Sequence, residues 1–434
     1  MIKNIIAGRI HPILIIFFVS LIIRWITYYY YYYVYTDYGG MHFSPTADEA
    51  STYEILARHI LTSNDLSHVL FSYRPPLQPL LIAFLYLISN TTNPLFVVFM
   101  QGIYSSIIPL LTYVVTKELN MSKATQFWSG LLIALDPASI IISMTLMAET
   151  LSNLFIVTNA IFTLRLMKRN HKKDALAAGA SIALATLARP TSIYYFIPLV
   201  LFLIISVRQT ARNCIVLVLT FSIIVMPWYL RNQIYNNVFT YSTVGNFDLL
   251  FYGAVSVQSK ATGQLPQELE EQFSYELDKK LNQEKDRESY TYSSKWKFLV
   301  SENPMTNDAI SNMAFEIFSK YPKEYILTLH RPLIKIFAFT NYLKPISGMH
   351  ILEITFNIIL YVLTLIGILH IWIRKHVTLI VITIIPMLYF TAIPVLTRAG
   401  SGMDTRARTP FSFALAILAA LSIDWIMKRL NKNP

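Results

Sequence analysis

One cysteine and a low share of charge set the first limits on this 434-residue sequence. Cys214 sits in an apolar run, so a disulfide framework within the chain and a cysteine-built metal site are both excluded. Charged residues make up 14% of the chain, against roughly 25% in soluble domains. A deficit spread along most of the length excludes an ordinary water-soluble globule. There is no internal repeat. His42, His59 and His68 have no ligand spacing and read as solvated loop residues. The N-terminal stretch has no small-residue cleavage site after its apolar part and reads as an anchor rather than a removed signal.

What is present is hydrophobic: 54% of residues, with a mean hydropathy of +0.46. Apolar runs lie near 10–30, 95–116, 124–142, 149–166, 175–188, 191–207, 213–228, 351–373, 377–396 and 409–427. Runs of about 17–25 residues span a bilayer core, and continuous rather than alternating apolarity selects helices. The expected fold is an all-α polytopic membrane protein with about ten transmembrane helices. The run 76–89 is too short to cross comfortably and reads as a re-entrant or interfacial helix. The net charge of +11 follows mostly from basic loops that fix topology, not from nucleic-acid binding. Lys3/Arg9, Lys117/Lys123, Arg165 to Lys173, Arg208/Arg212, Arg374/Lys375 and Lys428/Arg429/Lys432 all fall inside if 76–89 does not cross. The chain then divides into a transmembrane module 1–228 with a first outer loop 31–94, an outer lid-like or globular α-rich segment 229–350, and C-terminal transmembrane helices 351–434. The tyrosine run Tyr28 to Tyr33 marks the outer end of the first helix.

Polar residues that abut apolar runs gather on the outer side in this topology. Asp48 and Glu49 lie in the first loop, and Arg74 precedes the short helix. Glu149 opens the fourth span, Arg189 ends the fifth, Arg231 follows Pro227-Trp228-Tyr229-Leu230, and Arg398, Arg406 and Arg408 precede the last span. Outer arginines run against the positive-inside bias, and an anion at that interface explains them. Thr46-Ala47-Asp48-Glu49 reads as a capping box for a membrane-surface helix with Ala50, Tyr53, Ala57 and Ile60 on one apolar stripe. Asp48 would then sit in a first turn whose dipole favours the ionised carboxylate, as a general base requires. The local pattern by itself favours an ordinary first-turn acid, and the arginines read equally as snorkelling side chains. Asp136-Pro137 reads as a kink with the acid facing the bundle. Asn90-Thr91-Thr92 and Asn120-Met121-Ser122 match glycosylation acceptors and are set aside as chance.

The order of these pieces resembles the integral-membrane glycosyltransferases with lipid-phosphate-sugar donors, specifically the dolichyl-phosphate-mannose–protein mannosyltransferase superfamily and its bacterial relatives. Five segments carry the likeness: Ala47-Asp48-Glu49 with Tyr53 and Ala57-Arg58; Tyr73-Arg74-Pro75-Pro76-Leu77-Gln78-Pro79; Met147-Ala148-Glu149-Thr150-Leu151; Leu187-Ala188-Arg189-Pro190; and Pro227-Trp228-Tyr229-Leu230-Arg231-Asn232. Tyr321-Pro322-Lys323-Glu324-Tyr325 and Arg406-Ala407-Arg408-Thr409-Pro410 are weaker echoes. Relatives often have histidine where Arg74 stands and an aromatic residue where Ala407 stands. The resemblance implies an inverting transferase with Asp48 as base, a polyprenyl-phosphate sugar as donor, and a glycan, lipid or protein as acceptor. It implies no required cofactor, although a divalent metal at the carboxylates stays open.

The chemistry agrees with that implication. A sugar 1-phosphate lipid leaves as an anion, so the acid that glycosidases place at the leaving oxygen is unnecessary. One base and cationic stabilisation suffice. Asp48 is the expected base, and Glu49 and Glu149 are the acceptor or orienting groups. Arg74, Arg189, Arg231, Arg406 and Arg408 are candidate ligands of the lipid phosphate, suited by their forked donors. Short outer loops and an Ile/Asn/Lys/Tyr-rich composition point to a bacterial inner membrane. Rival readings are a lipid-linked oligosaccharide polymerase or ligase, and a lipid-linked sugar flippase. A flippase would place charges at the midplane within paired repeats.

Overall fold

The computed structural model describes residues 11–34, 44–46, 49–206, 210–281, 291–299, 304–338, 349–374, 377–398 and 405–431. Asp48 and His42 lie outside the described residues. Among the described residues the chain is helical, with no strand. Seven helices among the described residues are long and apolar enough to cross a membrane: Pro12–Val34, Pro94–Glu118, Glu149–Arg169, Ala211–Asn236, Ile351–His370, Val377–Arg398 and Thr405–Leu430. The chain is therefore an all-α integral membrane protein.

The count differs from the ten expected for a local reason. The run 124–142 is split into Lys123–Ala134 and Pro137–Ile142, because Pro137 cannot donate to the helix and Asp136 caps the second piece by accepting from Ser139 N at 3.3 Å. Lys172–Ala188 is 17 residues long, or about 26 Å at 1.5 Å per residue. Arg189-Pro190 ends it, and the next helix, Phe196–Ser206, is shorter still. The run after Pro76 folds as the 13-residue helix Leu77–Ser89.

Asparagine ends many of these helices. Asn64, Asn90, Asn120, Asn170 and Asn237 all have φ between 51° and 56°. Asparagine tolerates this left-handed region better than other residues with a Cβ and so takes the role glycine commonly fills after a helix. Two of the five are the asparagines of the glycosylation matches.

Within the bundle, close approach uses small residues. A Cβ at Gly179 would collide with the Leu217 carbonyl, and one at Gly367 with the Leu418 carbonyl. The last helix is buried from Phe413 to Ala420. Asp136 faces the bundle, where Arg408 donates to it at 2.7 Å and both side chains are fully buried. The tyrosine run is only half an interface marker. Tyr29 and Tyr33 are exposed, but Tyr31 and Tyr32 are buried and Tyr32 donates to the Met144 carbonyl.

Beyond the Ala211 helix the chain builds a second apolar core. Phe247, Phe251, Leu269, Phe273, Leu277 and Ala314 pack together, and Tyr73 joins them from the first loop. Lys295 pairs with Glu270 at 2.6 Å inside it. This core fixes the short helix Val244–Asp248 over the end of the bundle where the first loop lies.

Candidate active site

Antiparallel packing brings the start of one helix beside the end of the next. Glu149 is the first residue of its helix and Arg189 follows the last residue of the neighbouring Lys172–Ala188. Their side chains meet at 3.2 Å, with the Glu149 carboxylate almost fully buried. A carboxylate at a helix start is favoured by the unpaired N–H groups there.

The first loop supplies a second pair. The capping box expected at Thr46 does not form. The helix begins later, at Ala50, and Glu49 precedes it with helical backbone angles and no capping bond, while Thr46 bonds Ser44 Oγ. The reason is Arg74, which draws the Glu49 carboxylate to 3.2 Å. Arg74 is itself wedged in place. Its Nε donates to Thr52 Oγ1 at 3.1 Å, Nη1 reaches Tyr53 Oη at 3.4 Å, and its guanidinium stacks 4.1 Å from the Tyr73 ring centroid. The expected stripe does hold this helix down, with Ala50, Tyr53 and Ala57 buried. Burial alone would push the Glu49 carboxyl up, but Arg74, Arg406 and Arg398 outweigh it and hold the group well below the usual carboxylate range. For Arg74, burial opposes the charge and the surrounding Tyr53, Tyr73 and Glu49 more than restore it.

A third pair was not foreseen. Asp248, at the end of its short helix, accepts from Arg398 Nε at 2.9 Å. Burial raises its carboxyl above the usual range even with Arg398 beside it. Sequence reading noted Arg398 but passed over Asp248. One signal was available: Asp248 is the sole acid between Asp174 and Glu268.

These pairs border one cavity of about 360 Å³. Glu49, Arg189, Asp248, Arg398 and Arg406 are its charged lining, and Tyr194, Tyr229, Tyr389, Phe390 and Ile393 belong to its aromatic and apolar lining. The lining therefore carries a formal surplus of positive charge beside a greasy wall, a combination suited to an anionic headgroup on an apolar tail.

Three of the expected phosphate ligands stand elsewhere. Arg74 lies behind Glu49. Arg231 is spent on the first loop, donating to the Leu66 and His68 carbonyls at 2.8 and 2.9 Å and to Asn232 and Asn236. Aromatic rings of Phe71 and Trp228 cover it. Arg408 is committed to Asp136 inside the bundle. The sequence showed these arginines at the right end of their helices but not which way each side chain turns. His59 bonds Asp65 at 2.8 Å and His68 caps the turn that follows, so both shape the loop. Among the described residues no three His, Cys, Asp or Glu side chains are grouped to hold a metal.

Comparison with known proteins places this geometry in context. Residues 73–230 match the model of the dolichyl-phosphate-mannose-protein mannosyltransferase family. The matched stretch includes Arg74, Glu149 and Arg189. The chain's fold is similar to that of the archaeal oligosaccharyltransferase AglB from Archaeoglobus fulgidus, solved with an inhibitory peptide and a dolichol-phosphate: TM-score 0.54, 12% identity, covering 95% of this chain and 50% of that one. A second structure of the Archaeoglobus fulgidus oligosaccharyltransferase, tethered to an acceptor peptide, gives a TM-score of 0.51 at 13% identity, over 95% and 50% of the two chains. ArnT from Cupriavidus metallidurans bound to undecaprenyl phosphate matches at a TM-score of 0.43 and 11% identity, over 94% of this chain and 77% of that one. The chain spans about half the length of the archaeal enzyme. No curated protein matches the sequence significantly.

Proposed function

We propose that the protein is an inverting glycosyltransferase that moves one sugar from a polyprenyl-phosphate carrier to an acceptor hydroxyl at the outer face of a bacterial plasma membrane. The acceptor is a glycan, a lipid or a protein. The observation that carries this reading is the cavity, where arginines from two separate parts of the chain converge on Glu49, the residue after Asp48. The family match over 73–230 and the fold likeness to an enzyme solved with a dolichol-phosphate support it.

In this mechanism Asp48 takes the proton from the acceptor oxygen as that oxygen attacks the anomeric carbon. The bond from that carbon to the phosphate oxygen breaks, and the lipid phosphate leaves with the electron pair. Arg189, Arg398 and Arg406 receive the charge as it develops. Arg74 acts through Glu49, and Glu149 through Arg189, each fixing a partner at the cavity wall. The apolar side of the cavity takes the first isoprene units. The role first expected for Arg231 and Arg408 passes to structural contacts, and Arg398 joins the phosphate ligands.

Asp48→Asn tests the assignment. Transfer in purified protein falls by about 10²–10⁴-fold, the usual worth of a positioned general base, while carrier binding is retained. A variant as active as the wild type removes the base. Transfer of a whole oligosaccharide is the second reading, favoured by the likeness to AglB. The cavity volume of about 360 Å³ favours the single sugar; it lies at the low end of the roughly 300–1,000 Å³ of small-molecule pockets.

A further inference from the structure

Asp248 differs from the other acids of the site. Glu49 is held by Arg74 from behind, and Glu149 is nearly closed off from the cavity by its pairing with Arg189. Asp248 belongs to the segment beyond the Ala211 helix and reaches the cavity from a short helix docked on the first loop. Its Oδ2 is fixed by Arg398 Nε at 2.9 Å, and among the described residues no other donor reaches either oxygen. The carboxylate lines the cavity, so Oδ1 is an acceptor in a fixed place with nothing yet to accept.

The element that carries it is rigid. Phe247, beside it in the chain, is buried, stacks on Trp296 at 5.5 Å and packs at a tilt against Phe251 at 4.8 Å. Asn246 donates to Asn307 at 2.9 Å, and the Thr243 N–H bonds the Ser72 carbonyl at 3.0 Å, tying the helix start to the turn that presents Arg74. A carboxylate held this firmly is suited to reading a rigid polar ligand, because little freedom is lost on binding. A second anion is a poor ligand for a phosphate and a good one for sugar hydroxyl or ammonium groups, which donate to it.

We infer that Asp248 reads the transferred sugar, accepting hydrogen bonds from its hydroxyl or amino groups on the oxygen Arg398 leaves unoccupied. Arg398 thereby serves both neighbours: it orients Asp248 and faces the phosphate. The inference rests on the transferase reading and assigns the donor class as a carrier with a single polar sugar whose donors point toward the Val244–Asp248 helix.

Binding of purified full-length protein to undecaprenyl phosphate and to a panel of undecaprenyl-phosphate monosaccharides tests it. The wild type binds at least one sugar-bearing carrier more tightly than the bare carrier. Asp248→Ala erodes that preference by about 10- to 100-fold, the worth of a hydrogen bond to a charged group in a closed site. Asp248→Asn, close in shape, keeps the fold and loses part of the preference. Bare-carrier affinity stays within a few-fold in both. Equal weakening of bare and sugar-bearing carriers overturns the inference and makes Asp248 a support of Arg398 alone. An unchanged preference in Asp248→Ala overturns it outright. Asp48→Asn separates the two claims, since it stops transfer and keeps the sugar preference. A wild type that binds no lipid phosphate ends both.

Discussion

At the residue scale, the site is built from acid–arginine pairs: Glu49 lines the cavity with Arg74 behind it, Arg189 lines it with Glu149 behind it, and Asp248 and Arg398 both line it. Glu49 shows how this depends on pH. Its folded-state pKa is depressed, so its contribution to stability is full above the pKa of the unfolded carboxyl, about 4.3, and is lost as pH falls through the lower folded value. Glu49→Gln is therefore expected to lower the thermal midpoint at pH 7 by the equivalent of about 1–2 kcal/mol, between an exposed and a buried pair. The gap to the wild type narrows as the buffer is taken below pH 4. Equal midpoints for the two proteins at pH 7 would show that the Arg74 contact contributes nothing.

At the scale of elements, the placement of the site follows from where helices begin and end. Glu149 opens one helix and Arg189 closes its antiparallel neighbour, so two short motifs singled out both residues, while their pairing came from the packing. Their placement depends on the two helices staying in close contact with the rest of the bundle. Gly179 lies on the Lys172–Ala188 helix against the Leu217 carbonyl, where no Cβ fits. Gly179→Val should push the Ala211 helix away, at a cost of about 1–3 kcal/mol for an overpacked contact. The check is the fraction of protein that elutes as a single folded peak in detergent and its thermal midpoint, both expected to fall. An unaffected protein would mean that these helices separate freely.

The same scale shows what the sequence concealed. Asp248 and Arg398 are 150 positions apart, and neither sits in a motif that names the other. Their contact depends on the second apolar core holding the Val244–Asp248 helix in place, and hydrophobic periodicity gives no register for such long-range docking. Arg231 shows the reverse. Its motif was plain, but the Leu66 and His68 carbonyls that claim its guanidinium belong to a loop whose path no local pattern fixes. Asp136-Pro137 was read as a kink with an inward acid; the acid does face inward, and the kink is a full break between two helices. Apolar composition marked the remaining runs, while the lengths of their helices depend on the interruptions at Asp136-Pro137 and Arg189-Pro190.

For the whole molecule, a bundle of apolar helices and a separate packed segment meet around a cavity lined by both charged and aromatic side chains. This arrangement suits a lipid that stays in the bilayer while its headgroup reacts in water. The fold is shared with an oligosaccharyltransferase, but folds host more than one reaction and the site decides between them. The decisive measurement incubates purified protein with a panel of polyprenyl-phosphate monosaccharides, polyprenyl-diphosphate oligosaccharides and candidate acceptors, and reads the product by mass and by the NMR coupling of its new anomeric proton. The account predicts transfer of one sugar from a monophosphate carrier with inverted anomeric configuration and release of free polyprenyl phosphate. Transfer of an intact oligosaccharide from a diphosphate carrier, or retention of configuration, would contradict it.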